Sequence, residues 1–208
     1  MNNPYGIRRV LFANSVEKKS ATKAFAEWEL YVGSDAVGGA GHCGLCNQRL
    51  DYVFSVQNRH NDKVLLVGRD CIFKFGIKVY EYNKLLTTKE AHDRLNELVS
   101  QSIRAKKVDH VLEAIGALQE QDGDFPADSF KKYYADRRAF TPNQLSFLLW
   151  QFKVHNIVFE PRFFKLTITR NREKSQLLDM PDWKLRQLWN CMTPAQKSWL
   201  ERRSNEEA

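Results

Sequence analysis

Apolar positions recur along the chain in two rhythms, one near 3.6 residues and one of two, and their alternation divides it into elements. From Val16 to Tyr31 the apolar residues Ala24, Phe25, Trp28 and Tyr31 fall at helical spacing and predict one helix, broken at Gly33-Ser34-Asp35. Gly38-Gly39-Ala40-Gly41 reads as a flexible loop. Leu50 to Gln57 then alternates, with Tyr52, Phe54 and Val56 against Val53 and Ser55, and Lys63 to Val67 is short and β-branched. The turn formers Asn58-Arg59-His60-Asn61-Asp62 between these runs make the pair a predicted β-hairpin, ended by Gly68.

Helical rhythm returns after residue 86. Thr87 and Glu90 have capping-box spacing ahead of Ala91, Leu95, Leu98 and Val99. A basic run, Arg104 to Lys107, reads as a break before a second amphipathic helix carrying Val108, Val111, Leu112, Ile115 and Leu118, which Asp122-Gly123-Asp124 stops. Two later starts share a pattern: Thr141-Pro142 with Gln144, and Thr193-Pro194 with Gln196. An aromatic-rich helix precedes each, around Phe130, Tyr133 and Tyr134 and around Trp183, Leu188 and Trp189. Two helix hairpins are expected, with shared capping chemistry rather than duplication explaining the echo. Asn156 to Phe159 and Phe164 to Thr169 read as a short strand pair between them.

The expected class is α+β: an N-terminal helical segment and Gly-rich loop over 1–40, a small β-hairpin module over 41–86, and a mainly helical domain over 87–208. Hydrophobic residues at 43% suffice for a buried core. No apolar run approaches the roughly 20 residues of a membrane span, and Met1 to Val10 lacks a secretory signal's apolar stretch, so a cytoplasmic setting is expected.

Four cysteines are too few for a disulfide scaffold, but three of them fall within 29 residues. Cys43-Gly44-Leu45-Cys46 has knuckle spacing, which turns two thiolates toward one ion. The hairpin returns the chain to its start, and Gly68-Arg69-Asp70-Cys71 delivers a third thiolate where a helix begins, an end that favours negative charge. Knuckle, hairpin and helix start make a treble-clef-like arrangement for one structural Zn2+. A helix-borne Cys-x-x-Cys would place the fourth ligand at Lys74, which cannot serve. His60 lies at the hairpin tip, about 20 Å away at 3.3 Å per strand residue. His42 adjoins Cys43 and is the expected fourth ligand, with Asp70, His92 or water as alternatives. Cys191, among Leu188, Trp189 and Met192, reads as core.

The net charge of +7 is uneven: residues 41–107 carry twelve basic and seven acidic side chains, residues 108–208 fifteen and fourteen. A basic surface attracts polyanions. Arg49, Arg59, Lys63, Arg69, Lys74 and Lys78 on the cysteine module, and Arg162, Lys165, Arg170 and Arg172 further on, are the candidate phosphate contacts. Tyr52, Phe54 and Phe73 lie nearby, and alternation sends most such aromatics into the core. No catalytic constellation, phosphate-cradling loop or small-molecule substrate site is evident, so the chain reads as non-enzymatic.

Cys43-Gly-Leu-Cys46, Tyr52-Val-Phe-Ser-Val56-Gln-Asn58 and Leu66-Val-Gly68-Arg-Asp-Cys71-Ile-Phe-Lys-Phe75 together resemble a group of bacterial and bacteriophage zinc-finger-like proteins. That pattern runs Cys-x-x-Cys, an aromatic-bearing strand, a second strand, then Val-Gly-x-x-Cys. The resemblance covers about 35 of 208 residues and implies a metal-binding module of phage or mobile-element type rather than an activity. The chain departs from it at Lys74, where some members carry an acidic residue. A nucleic-acid-binding protein is the expected function. The alternative is a zinc-scaffolded adaptor or inhibitor of a host protein complex.

Overall fold

In the computed structural model, residues 4–33 and 36–206 are described; Met1–Asn3 and the predicted break at Ser34-Asp35 lie outside them. Helices carry 56% of the chain and strands 14%, which makes the class α+β. The chain divides into two compact units, residues 1–103 and 104–208.

The first unit opens with α1 (Pro4–Asn14), which buries Ile7 and Leu11, one helical turn apart. The helix expected over 16–31 does not form. Instead α2 (Ala21–Phe25), capped by the Ser20 hydroxyl, gives way at Ala26-Glu27 to β1 (Trp28–Tyr31). The cause is tertiary. Trp28, Glu29 and Leu30 are consecutive and all buried, so β1, paired on both edges in the sheet, shows no period of two in sequence. The Trp28 indole donates to Ser15 Oγ at 2.9 Å. Glu27 is buried as well. Its carboxylate accepts from the amides of Val16 at 2.7 Å and Glu17 at 2.6 Å and from Asn58 Nδ2 at 2.7 Å. Burial alone would raise its pKa, but these donors hold it below the usual carboxylate range.

The Gly-rich segment forms two short strands instead of a loop, β2 (Val37–Gly38) and β3 (Gly41–His42). β4 (Arg49–Leu50) pairs with β3. The predicted hairpin is present as β5 (Val53–Asn58) and β6 (Val64–Val67). One edge of β5 carries β6, and the other carries β1 and β2 in succession. After α3 (Arg69–Lys74), β7 (Lys78–Glu81) runs parallel to β1, and β8 (Lys84–Leu85) closes the sheet. Leu11, Trp28, Leu30, Phe54, Val67, Ile72 and Leu95 fill this unit's core, together with Cys43 and Cys71.

α4 (Thr88–Gln121) begins in the first unit and ends in the second, with no break at Arg104–Lys107. Lysine and arginine are good helix formers, so a basic run alone does not stop a helix. The Thr87 cap is formed with Glu90 in both directions, and these hydrogen bonds hold the Glu90 pKa at about 2.

The second unit continues with α5 (Ala127–Arg137), α6 (Pro142–Val154), α7 (Asn171–Leu178), α8 (Asp182–Leu188) and α9 (Pro194–Glu206). Both threonine caps are formed, Thr141 with Gln144 and Thr193 with Gln196. The strand pair expected over 156–169 is absent. Phe164 and Leu166 are both buried in the helical core, and the segment makes a 3-10 turn at Pro161–Phe163 and one isolated bridge, Phe140 with Leu166. Phe140 is fully buried among Tyr134, Phe130 and Phe164. Glu173 is buried and accepts from the amides of Thr169 at 2.7 Å and Arg170 at 3.0 Å. Its pKa is lowered in the same way as that of Glu27. Among the described residues no helix is long and apolar enough to cross a membrane.

Candidate metal centre

The knuckle is built between β3 and β4. Cys43 N donates to Gln48 O at 2.9 Å and Asn47 N to Cys43 O at 2.7 Å, closing the turn, while Asn47 takes the left-handed φ of 59° that asparagine tolerates. Gly44 N donates to Leu66 O at 2.6 Å, which docks the knuckle on the hairpin's second strand. A Cβ at Gly44 would stand 3.1 Å from that carbonyl, so the close backbone approach favours glycine here. Gly68 caps α3, and Cys71 sits in the helix's first turn.

These elements bring three sulfurs together. Cys43 Sγ and Cys46 Sγ each lie 3.6 Å from Cys71 Sγ, and all three sulfurs fall within 4.8 Å of one another. All three cysteines are free thiols. Thiolates about 2.3 Å from a tetrahedral zinc stand about 3.8 Å apart, so the spacing fits one four-coordinate ion with little adjustment. The donor set is soft, which suits zinc among the available divalent metals.

The electrostatics run the same way. Burial pushes the Cys43 thiol up, but amide donation from Gly68, at 3.4 Å, and from Cys46 and Leu45 lowers its pKa overall. Cys71 is raised far above the ordinary thiol value by burial and then by the neighbouring Cys43 and Cys46. Negative charge is thus welcomed at one sulfur and resisted at the next. A cation reverses that resistance.

The structure matches neither a protein-family model, nor a curated protein, nor a solved structure. The centre therefore rests on its own geometry.

Among the described residues no histidine or carboxylate joins the three thiols. His42, the expected fourth ligand, is exposed on β3 opposite Arg49. His60 is at the hairpin turn beside Arg59. His92 stacks on Phe73, ring centroids 3.5 Å apart. The Asp70 side chain is 94% exposed beside Arg69. Lys74, the last residue of α3, places its ammonium over the Phe75 ring. The cysteines instead line an open cleft of about 260 Å3 with Gln48, Leu50, Asp51, Tyr52, Arg69 and Asp70 among its walls. Sequence reading passed over Gln48 and Asp51; their position one turn after the knuckle was the available signal.

All ten predicted basic contacts are exposed, but they are spread over several elements. Arg49 lies on β4 and Lys78 on β7. Arg59 pairs with Glu29 at 3.5 Å, and Lys63 donates to Ala13 O at 3.3 Å. Arg69 bonds Asn96. Arg162 pairs with Glu160 at 3.0 Å, while Lys165, Arg170 and Arg172 stand on the second unit's surface. Of the nearby aromatics, Phe54 is buried in the core. Cys191 is buried too, its thiol pushed up to about 12, as a packing cysteine should be.

Proposed function

We propose that Cys43, Cys46 and Cys71 hold one zinc ion that fixes a treble-clef-like module, and that the chain binds nucleic acid without catalysing a reaction. The convergence of three free thiols, all within 4.8 Å of one another, carries the metal half of this reading. When bound, the zinc would cross-link knuckle, hairpin and helix start, adding to the apolar contacts that Leu45, Val67 and Ile72 already make in the core. The polyanion half is supported by the net charge of +7 and by the exposure of all ten basic candidates. Ion pairs with Glu29 and Glu160 tie up Arg59 and Arg162, so Arg49, Lys74, Lys78, Lys165, Arg170 and Arg172 are the contacts of first choice.

Affinity for random-sequence DNA and RNA oligonucleotides, measured across a salt series, tests it. Six phosphate contacts predict that log K falls against log salt with a slope of about −5.4 on duplex DNA. No binding at low salt would remove the nucleic-acid reading and leave the metal centre intact.

One observation favours the adaptor reading. Phe147, Trp150 and Val154 form an exposed stripe on α6, and Trp183 on α8 shares a groove with Phe147 and Trp150. Aromatic anchors of this kind dominate protein interfaces. A pull-down from nuclease-treated lysate with wild-type protein and Trp150→Ala separates the two.

A further inference from the structure

Three thiolates leave a tetrahedral ion one ligand short, and the surroundings of the cluster restrict what fills that place. The nearest histidines are held elsewhere, and the aspartates on the cleft wall, Asp51 and Asp70, do not join the cluster. His42 is on an exposed strand, His92 is stacked on Phe73, His60 is at the hairpin turn, and the Asp70 side chain projects into solvent beside Arg69. Among the described residues the cluster contains cysteines alone. Solvent nevertheless reaches it. Cys43 is 1% and Cys71 5% exposed, whereas Cys46 is half-buried, and all three line one cleft with polar groups from Gln48, Asp51, Tyr52 and Arg69. Its volume of about 260 Å3 exceeds the roughly 30 Å3 share of a single water several times over.

Charge narrows the choice further. A dication with three thiolates carries one net negative charge, beside two nearly buried cysteines. An anionic fourth donor would double that charge. A neutral donor leaves a single negative charge. The amide of Gly68, which donates to Cys43 Sγ at 3.4 Å, and the Arg69 guanidinium on the cleft wall offset it.

On the metal reading given above, we infer that the fourth coordination position opens into this cleft and holds an exchangeable neutral donor. Water fills it in the free protein, and an imidazole-type nitrogen presented from outside replaces it. The centre is then a docking point as well as a cross-link. A partner's histidine entering beside Tyr52 and Arg69 would complete the ligand set, and a bond of that kind is specific in a way that scattered lysines are not.

Cobalt(II) in place of zinc makes the coordination sphere visible through its ligand-field bands. The test is a titration of tag-free, cobalt-loaded full-length protein with imidazole, for the wild type and for His42→Ala, Asp51→Asn and Asp70→Asn. The inference expects all four free proteins to share one spectrum, and all four to shift saturably as imidazole is added. A wild-type spectrum indifferent to imidazole would overturn it. So would a starting spectrum altered in any of the three variants, because that residue would then be the internal fourth ligand. Failure to take up cobalt at all would instead overturn the metal reading itself, so the two failures are distinguishable.

Discussion

The two units of this chain build their interiors from different materials. Residues 104–208 bury an aromatic and aliphatic core in which Phe140, Phe152 and Phe164 are fully enclosed, with Leu145, Leu148 and Leu188 around them. Residues 1–103 bury Trp28, Phe54 and several aliphatics too, but Cys43 and Cys71 belong to the same cluster, and short strands of two residues flank the knuckle. Apolar burial stabilises the second unit under any condition that keeps water as the solvent. The first unit carries a conditional component: three sulfurs drawn within 4.8 Å, where they repel when ionised and attract only through a cation. On the proposed metal centre, one chain would contain a lobe that depends on metal and a lobe that does not.

The sharpest way to break this contrast is to take the metal away. Structural zinc contributes about 10–16 kcal/mol of apparent binding energy in small modules. Chelation, or Cys71→Ser, should therefore collapse the amide dispersion and protease resistance of residues 1–103 while those of 104–208 persist. NMR spectra before and after chelation read this directly, and two units equally unmoved would erase the contrast. The reciprocal experiment is Phe140→Ala. Truncating a fully buried phenylalanine costs about 3–5 kcal/mol, so urea unfolding followed by NMR should show the loss in the second unit, with metal content unchanged.

A smaller effect is shared by both units. Glu27 and Glu173 are buried carboxylates whose hydrogen-bond donors lower their pKa. A lowered folded pKa means stability that is fully present above the unfolded carboxylate value and lost as pH falls through the folded one. Glu27→Gln and Glu173→Gln should each cost about 1–3 kcal/mol at neutral pH and flatten the acid limb of stability in their own unit. Denaturation midpoints between neutral and acid pH measure both, and equal slopes in wild type and variants would contradict the assignment.

Much of this was legible before any coordinates. The hairpin followed from alternation over Leu50–Gln57 and the turn formers Asn58 to Asp62 after it. The caps at Thr87, Thr141 and Thr193 followed from local chemistry, and the cysteine cluster from spacing across the hairpin. Local signals succeed where the physics is local. β1 was read as helix because Trp28–Tyr31 is flanked by strands that exist only after folding. Glu27 and Glu173 look like surface acids in sequence, and only the backbone amides that converge on them in three dimensions make them interior residues. Adjacency in sequence puts His42 beside Cys43, but His42 is exposed at the end of β3 whereas Cys43 is buried, and the clustered ligand atoms are the three sulfurs.

The central claim is that three cysteines share one ion. Elemental analysis of reduced, full-length protein purified without chelator tests it most directly, with Cys71→Ser as the comparison. One zinc per wild-type chain, lost in the variant, is the predicted result. Folded, reduced wild-type protein carrying no metal would contradict it.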